Sequence, residues 1–397
     1  MTRKSTLAGL VATVVAATQL AAPAHASGPT PTDLPPARPG VQHWDLPTSA
    51  SPAPQTEEEK KAGMQNGRTV PTPELLQPSI DPALPAFKKT PGLKINRTYQ
   101  AGTSDVLPGL VDMWVKDFQR YYPGFKLEIE KPMAGSLGTL ELIKGNLELV
   151  FVSRELKPTD VSSYREKFNA DPFSVPISGG SWRHYGFLDA MAFMVHPDNP
   201  IAKLNYQQLD AAFSSTRHRG GKPVETWGDL GLTGEWKDKK IHLYGITPWN
   251  GFEEFIRQRV LSTDGKRGEW KKDMASDPVF FYVARRVAND RYALGYTGLS
   301  AIDSEVRIVP VSEGDGPAVS PSYDAVASTK YPLTRLVYLN TNGSAGKPVD
   351  PGLAEFLRYV LSREGQSVIQ RQGIFLPLRA HQVEASRAYL ASNGAKK

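Results

Sequence analysis

The 397-residue chain contains no cysteine. That excludes disulfides, cysteine-ligated zinc, iron–sulfur clusters, a thiol nucleophile and a lipid anchor on an N-terminal cysteine. Long hydrophobic runs are also scarce. Beyond the N-terminus, no stretch approaches the roughly 20 apolar residues that a membrane-spanning helix requires. Charge of one sign is not concentrated. Lysine and arginine number 47 against 41 acidic residues, a net charge of +6. These charges are scattered, with no basic run interleaved with aromatics, so nucleic acid is not an expected partner. His184, His196, His218 and His242 lack metal-ligand spacing. No glycine-rich loop ends in Gly-Lys-Ser/Thr, which leaves nucleotide hydrolysis unsupported. Nor does the chain show the acidic and histidine clusters of a two-metal phosphatase. The expectation is a protein that is not an enzyme and uses no cofactor.

What is present begins with Arg3 and Lys4, an apolar run from Leu7 to Ala22, and Ala24-His25-Ala26. A short apolar run rich in alanine and threonine, followed by a small-x-small site, reads as a secretory signal peptide over residues 1–26. The expected location is therefore periplasmic, after export. The missing anchor cysteine favours a periplasm over a lipoprotein of a one-membrane cell. Residues 27–93 form a proline-rich leader, as in Pro29-Thr30-Pro31 and Asp81-Pro82-Ala83-Leu84-Pro85. Proline removes a backbone donor and interrupts helices, so this segment is a linker or an arm wrapped over the domain.

From Lys94 the pattern alternates strand and helix. Ile95–Gln100 reads as a strand, and Leu107, Leu110, Val111, Trp114, Val115 and Phe118 recur at helical spacing. Ser104 or Asp105 is the expected N-cap of that helix. Phe125–Glu130 is a second strand. A Gly/Ser loop at Gly135–Thr139 then opens a helix that closes near Gly145, and Leu147–Val152 is a third strand ending in Ser153-Arg154. Alternating elements of this kind give an α/β fold with a mostly parallel sheet. Ligands of such sheets sit outside the carboxyl ends of the strands. Three loops meet that description: Gly102–Asp105, Gly135–Thr139 and Ser153–Arg154. Small residues and hydroxyls at helix N-termini suit an anion. Further strands are expected at Phe187–Val195, Lys240–Ile246, Ala293–Gly298, Val306–Val311 and Leu333–Leu339. Helices are expected at Asn205–Phe213, Phe252–Leu261 and Phe280–Asn289, with one long helix over Pro351–Arg371.

Several blocks taken together resemble a known family. They include Gly102-Thr103-Ser104-Asp105, Gly135-Ser136-Leu137-Gly138-Thr139, Val152-Ser153-Arg154-Glu155-Leu156-Lys157 and Ala192-Phe193-Met194-Val195-His196-Pro197. Leu294-Gly295-Tyr296-Thr297-Gly298 and Tyr331-Pro332-Leu333-Thr334-Arg335 continue the series. In this order and spacing they resemble the PstS-like phosphate-binding proteins of ABC transporters. The resemblance implies a two-lobed type II periplasmic-binding-protein fold with crossing hinge strands. Lobe I would comprise 94–191 and 322–390, and lobe II 192–321. It also implies capture of an oxyanion, phosphate first, for delivery to an ABC permease in the inner membrane. Carried over by position, Thr103, Ser104, Ser136, Ser153 and Arg154 fall on ligand-contacting loops, with Gly138 and Thr139 in the same block. Asp105 is a candidate acceptor for the proton of monobasic phosphate, which sulfate lacks. The second lobe departs from the family pattern. Tyr244–Glu254 lacks the usual arginine and Gly-Ser-Gly-Thr turn, leaving Thr247 and Asn250 as candidate donors. That departure motivates an alternative: an exported interaction or sensing protein on the same scaffold.

Overall fold

The computed structural model describes residues 78–130, 135–182, 187–248, 251–344 and 348–392. The signal segment, the leader before residue 78, His184, Trp249 and Asn250 lie outside the described residues.

The first lobe is built on β1 (Asn96–Thr103), α1 (Pro108–Phe118), β2 (Gly124–Ile129), α2 (Gly135–Lys144) and β3 (Leu149–Val152). The three strands are parallel, with β1 in the middle. All four residues of β3 are buried, as expected of an interior strand covered on both faces. One stripe of α1, formed by Leu110, Val111, Trp114 and Phe118, packs into the core. The helix is not capped by Ser104 or Asp105. Its N-cap is Leu107, with no side-chain bond, and Pro108 takes the first position, where a missing N–H costs nothing. After α3 (Pro158–Phe168), β4 (Pro172–Gly179) supplies the far edge of the sheet, where Pro172 and Pro176 are tolerated. Those prolines hid β4 from a reading based on alternation.

The second lobe holds a sheet ordered β10-β5-β9-β7-β8. Its strands are β5 (Met191–Val195), β7 (His242–Ile246), β8 (Ala275–Asp277), β9 (Ala293–Gly298) and β10 (Arg307–Ile308). β7 runs parallel to β8 and β9, while β5 is antiparallel to β9 and β10. Short β6 (Leu204–Asn205) pairs in parallel with β11 (Val311–Ser312). Around them lie α4 (Tyr206–Phe213), α5 (Gly251–Ile256, continuing as a π turn through Leu261), α6 (Phe280–Asn289) and α7 (Tyr323–Ala327). The chain then returns as β12 (Leu336–Ser344), inserted antiparallel between β3 and β4.

Each lobe has its own hydrophobic core. Ala325, Val326, Ala327, Tyr331 and Leu333 join the second core. Residues 322–335 thus pack with lobe II, and the return crossing falls just before Leu336. The two crossings lie side by side: Gly180 N donates to Arg335 O (2.8 Å) and Met191 N to Leu333 O (3.2 Å). A Cβ on Gly180 would stand 2.3 Å from Leu188 O, so only glycine permits this approach.

The expected long C-terminal helix is two, α8 (Pro351–Val360) and α9 (Arg363–Gln372), followed by α10 (Ala380–Ala391). Ser362 breaks it by capping Gly365 N. Gln366 then satisfies the freed Val360 carbonyl at 2.8 Å. Residues 78–93 form an arm over α8 and α9. Leu84 is buried in the lobe I core, Thr90 donates to Glu355 from N (2.9 Å) and Oγ1 (2.7 Å), and Arg363 N donates to Pro85 O (2.8 Å).

Candidate functional site

The parallel register of β1 and β3 pairs Thr103 with Phe151, and Ser104 N donates to Phe151 O at 2.8 Å. Thr103-Ser104 and Ser153-Arg154 therefore leave the sheet next to each other, at strand carboxyl ends. Thr103 and Ser104 are buried, and neither hydroxyl has a hydrogen-bond partner among the described residues. Arg154 is held on one side only. Its Nη1 donates to Asp160 Oδ2 (2.8 Å) and to Glu155 O (2.7 Å). Asp160 is fixed in turn by Lys157 N at 2.9 Å. The other edge of the guanidinium, Nε and Nη2, is buried without a partner among the described residues. Buried polar groups are paired in the great majority of cases. Leaving one unmade costs about 1–3 kcal/mol, more for a charge. These unpaired groups make Thr103, Ser104 and Arg154 the candidate site.

At the lobe junction lies Arg335, which ends the return crossing. Its Nη2 lies 3.5 Å from Ser153 O in lobe I and 3.4 Å from Gly251 O at the start of α5. Its guanidinium sits over Phe252, 4.5 Å from the ring centroid. Burial pushes its pKa down to about 10, against the pull of Asp189, so it stays charged at neutral pH. Sequence reasoning passed over Arg335 as a site residue. The available signal was a cation inside the apolar run Leu333–Leu339, which implies a buried charge.

Burial pushes the Asp189 carboxyl up to about 6, although Ser300 donates to it from N and Oγ at 2.9 Å each and Arg335 lies nearby. A carboxyl raised in the folded state contributes most below its unfolded pKa and loses that contribution as pH rises. Relative to Asp189→Asn, the parent protein is expected to lose about 3 kcal/mol of unfolding free energy between pH 3.8 and about 6. Urea titrations at several pH values check this. Parallel pH profiles for the two proteins would contradict it.

Of the other sequence candidates, Asn250 lies outside the described residues. Asp105 is exposed, one residue beyond Ser104. Ser136 lies in the first turn of α2. Gly138 lets α2 approach β3, because a Cβ there would meet Val150 Cγ2 at 2.7 Å. Thr139 is buried beside it. Thr247 is half-buried and spends its N–H on Asp277 O at 2.9 Å. Glu253 and Glu254, at the start of α5, are each neutralised. Glu253 accepts from Arg257 (2.6 and 2.7 Å) and Trp270 Nε1 (2.5 Å). Glu254 accepts both ends of Arg267, at 2.6 and 2.9 Å.

The lobes touch on one side of this centre. Arg259 Nη2 pairs with Glu155 Oε1 at 2.6 Å, Gln258 Nε2 donates to Leu156 O at 3.0 Å, and Lys157 Nζ lies 3.7 Å from Glu254 Oε1. Among the described residues, no group of three or more histidine or acidic side chains is placed to hold a metal.

Two α/β lobes on adjacent crossings, with unpaired donors between them, define the architecture of a solute-binding protein. Residues 90–364 match the family described as a PBP superfamily domain. The phosphate-binding protein PstS of Pseudomonas aeruginosa is 33% identical over 308 residues, covering 77% of this chain and 90% of that protein. Its counterpart in Staphylococcus aureus is 22% identical over 302 residues, covering 74% and 83%. The crystal structure of PstS from Borrelia burgdorferi shares the fold, with a TM-score of 0.51 at 16% identity over 71% of this chain and 99% of that one. The chain belongs to the PstS-like proteins of this periplasmic-binding-protein superfamily.

Proposed function

We propose that this protein captures inorganic phosphate between its lobes and hands it to an ABC permease, without chemical change. One observation carries the reading: Arg154, with its Nε–Nη2 edge unpaired, and Thr103 and Ser104, with their hydroxyls unpaired, leave neighbouring strands at the same end of the sheet. A guanidinium edge matches two oxygens of a tetrahedral oxyanion, and adjacent hydroxyls replace its water shell. The names of the relatives, phosphate-binding proteins in both bacteria, support phosphate over other oxyanions.

In this reading Thr103, Ser104, Ser153 and Arg154 form the lobe I wall. The first turn of α2, with Ser136, flanks it, Thr247 lies on the lobe II side, and Asn250 stays a candidate from the sequence alone. Arg335 supplies the second cation that the Tyr244–Glu254 loop lacks. Asp105 makes no capping bond to α1, and it is assigned the acceptor for the phosphate proton. Lobe closure follows from contacts that the ligand makes only in the closed form. The N-terminal sequence supports export to the periplasm, and N-terminal sequencing of the mature protein should begin at Ser27.

Calorimetry against phosphate, arsenate, sulfate and molybdate tests the function. Tight phosphate binding, with sulfate rejected and the rejection lost in Asp105→Asn, is expected. No heat with any of the four would return the chain to the interaction or sensing alternative.

A further inference from the structure

We propose that Glu155 and Arg259 form a latch that sets how long the closed protein holds its ligand. The inference rests on the oxyanion reading above. Four consecutive lobe I residues carry both functions. Arg154 presents its unpaired edge to the centre. The next three residues each reach the second lobe: Glu155 to Arg259 (2.6 Å), Leu156 O to Gln258 (3.0 Å) and Lys157 to Glu254 (3.7 Å). Their partners at 254, 258 and 259 occupy one face of α5 and its π turn, following helical spacing. Glu155 is also fixed from its own lobe by Tyr338 OH at 3.1 Å, so its carboxylate is already oriented when Arg259 arrives.

An ion pair that exists only between closed lobes adds its free energy to the closed state alone. If the free protein is mostly open, that free energy passes directly into apparent affinity, because affinity scales with the fraction in the binding-competent form. Both side chains are about one-third exposed, so the contribution is that of a partly screened pair rather than a buried one. Its effect appears in the dissociation rate, because the pair must break before the ligand leaves.

The test compares the parent, Glu155→Gln, Arg259→Met and the double variant, with phosphate as the probe. Each single variant is expected to weaken binding about fivefold, mainly through faster dissociation. The double variant should be no weaker than either single variant. Additive losses, or unchanged dissociation rates, would overturn the latch. A second readout does not need the ligand. Because the chain has no cysteine, Lys126→Cys and Lys237→Cys place one label on each lobe for energy transfer. In Glu155→Gln the closed fraction should fall before phosphate is added. An identical distance distribution in parent and variant would refute the latch even if the parent bound no oxyanion, whereas a parent that closes but does not bind would refute only the phosphate reading.

Discussion

Replacing Arg154 by methionine is expected to weaken phosphate binding about 100-fold while leaving the fold intact. The methionine keeps the aliphatic bulk and removes the fork. Two charge-assisted hydrogen bonds to the anion are worth about 3 kcal/mol together, and each 1.4 kcal/mol is a factor of ten. The fold should survive because Arg154 spends only Nη1 on the protein, on Asp160 and Glu155 O. Asp160 retains Lys157 N as a donor. Arg154→Lys should recover only part of the affinity, since an ammonium restores charge without two parallel donors. Titration calorimetry with thermal melts decides the matter. Unchanged affinity in Arg154→Met would remove this residue from the site.

Arg335→Met should cost as much, for a different reason. Arg335 lies across the lobe junction, and its contacts at 3.4 and 3.5 Å are at the outer limit of hydrogen bonding. Its contribution is chiefly charge. A unit charge about 5 Å from an anion, at an effective dielectric near 20, is worth about 3 kcal/mol, again about 100-fold in affinity. Removing one partner of a buried ion pair destabilises the fold only while the other partner is charged. The cost falls on Asp189, which loses its positive neighbour. Arg335→Met should therefore melt near the parent in mild acid and progressively below it as Asp189 ionises. Retained affinity, with only the melting profile altered, would make Arg335 a structural partner of Asp189 and nothing more.

The strand ends were the most legible part of the chain. Strands that stop in Thr103-Ser104 and Ser153-Arg154 carry a local signature, and the parallel pattern places them together. The arm at residues 78–93 was legible as proline-rich, but its burial of Leu84 depends on α8 and α9, far along the sequence. The break at Ser362 was hidden because apolar spacing continues across it, and the reason for it, Gln366 reaching Ile177 O and Val360 O, is tertiary. Glu253 and Glu254 read as free charges at a helix start. Only folding brings Arg257, Arg267 and Trp270 against them.

By itself the sequence determined an α/β chain without cysteine, whose small polar residues end its strands. Those are properties of periodicity and composition, which act over a few residues at a time. The tertiary structure alone decided which cations meet at the centre. Arg335 and Ser153 are 182 positions apart, and Arg259 and Glu155 are 104 apart. No local pattern encodes such pairs, because they exist only when the crossings at Gly180 and Arg335 set one lobe against the other.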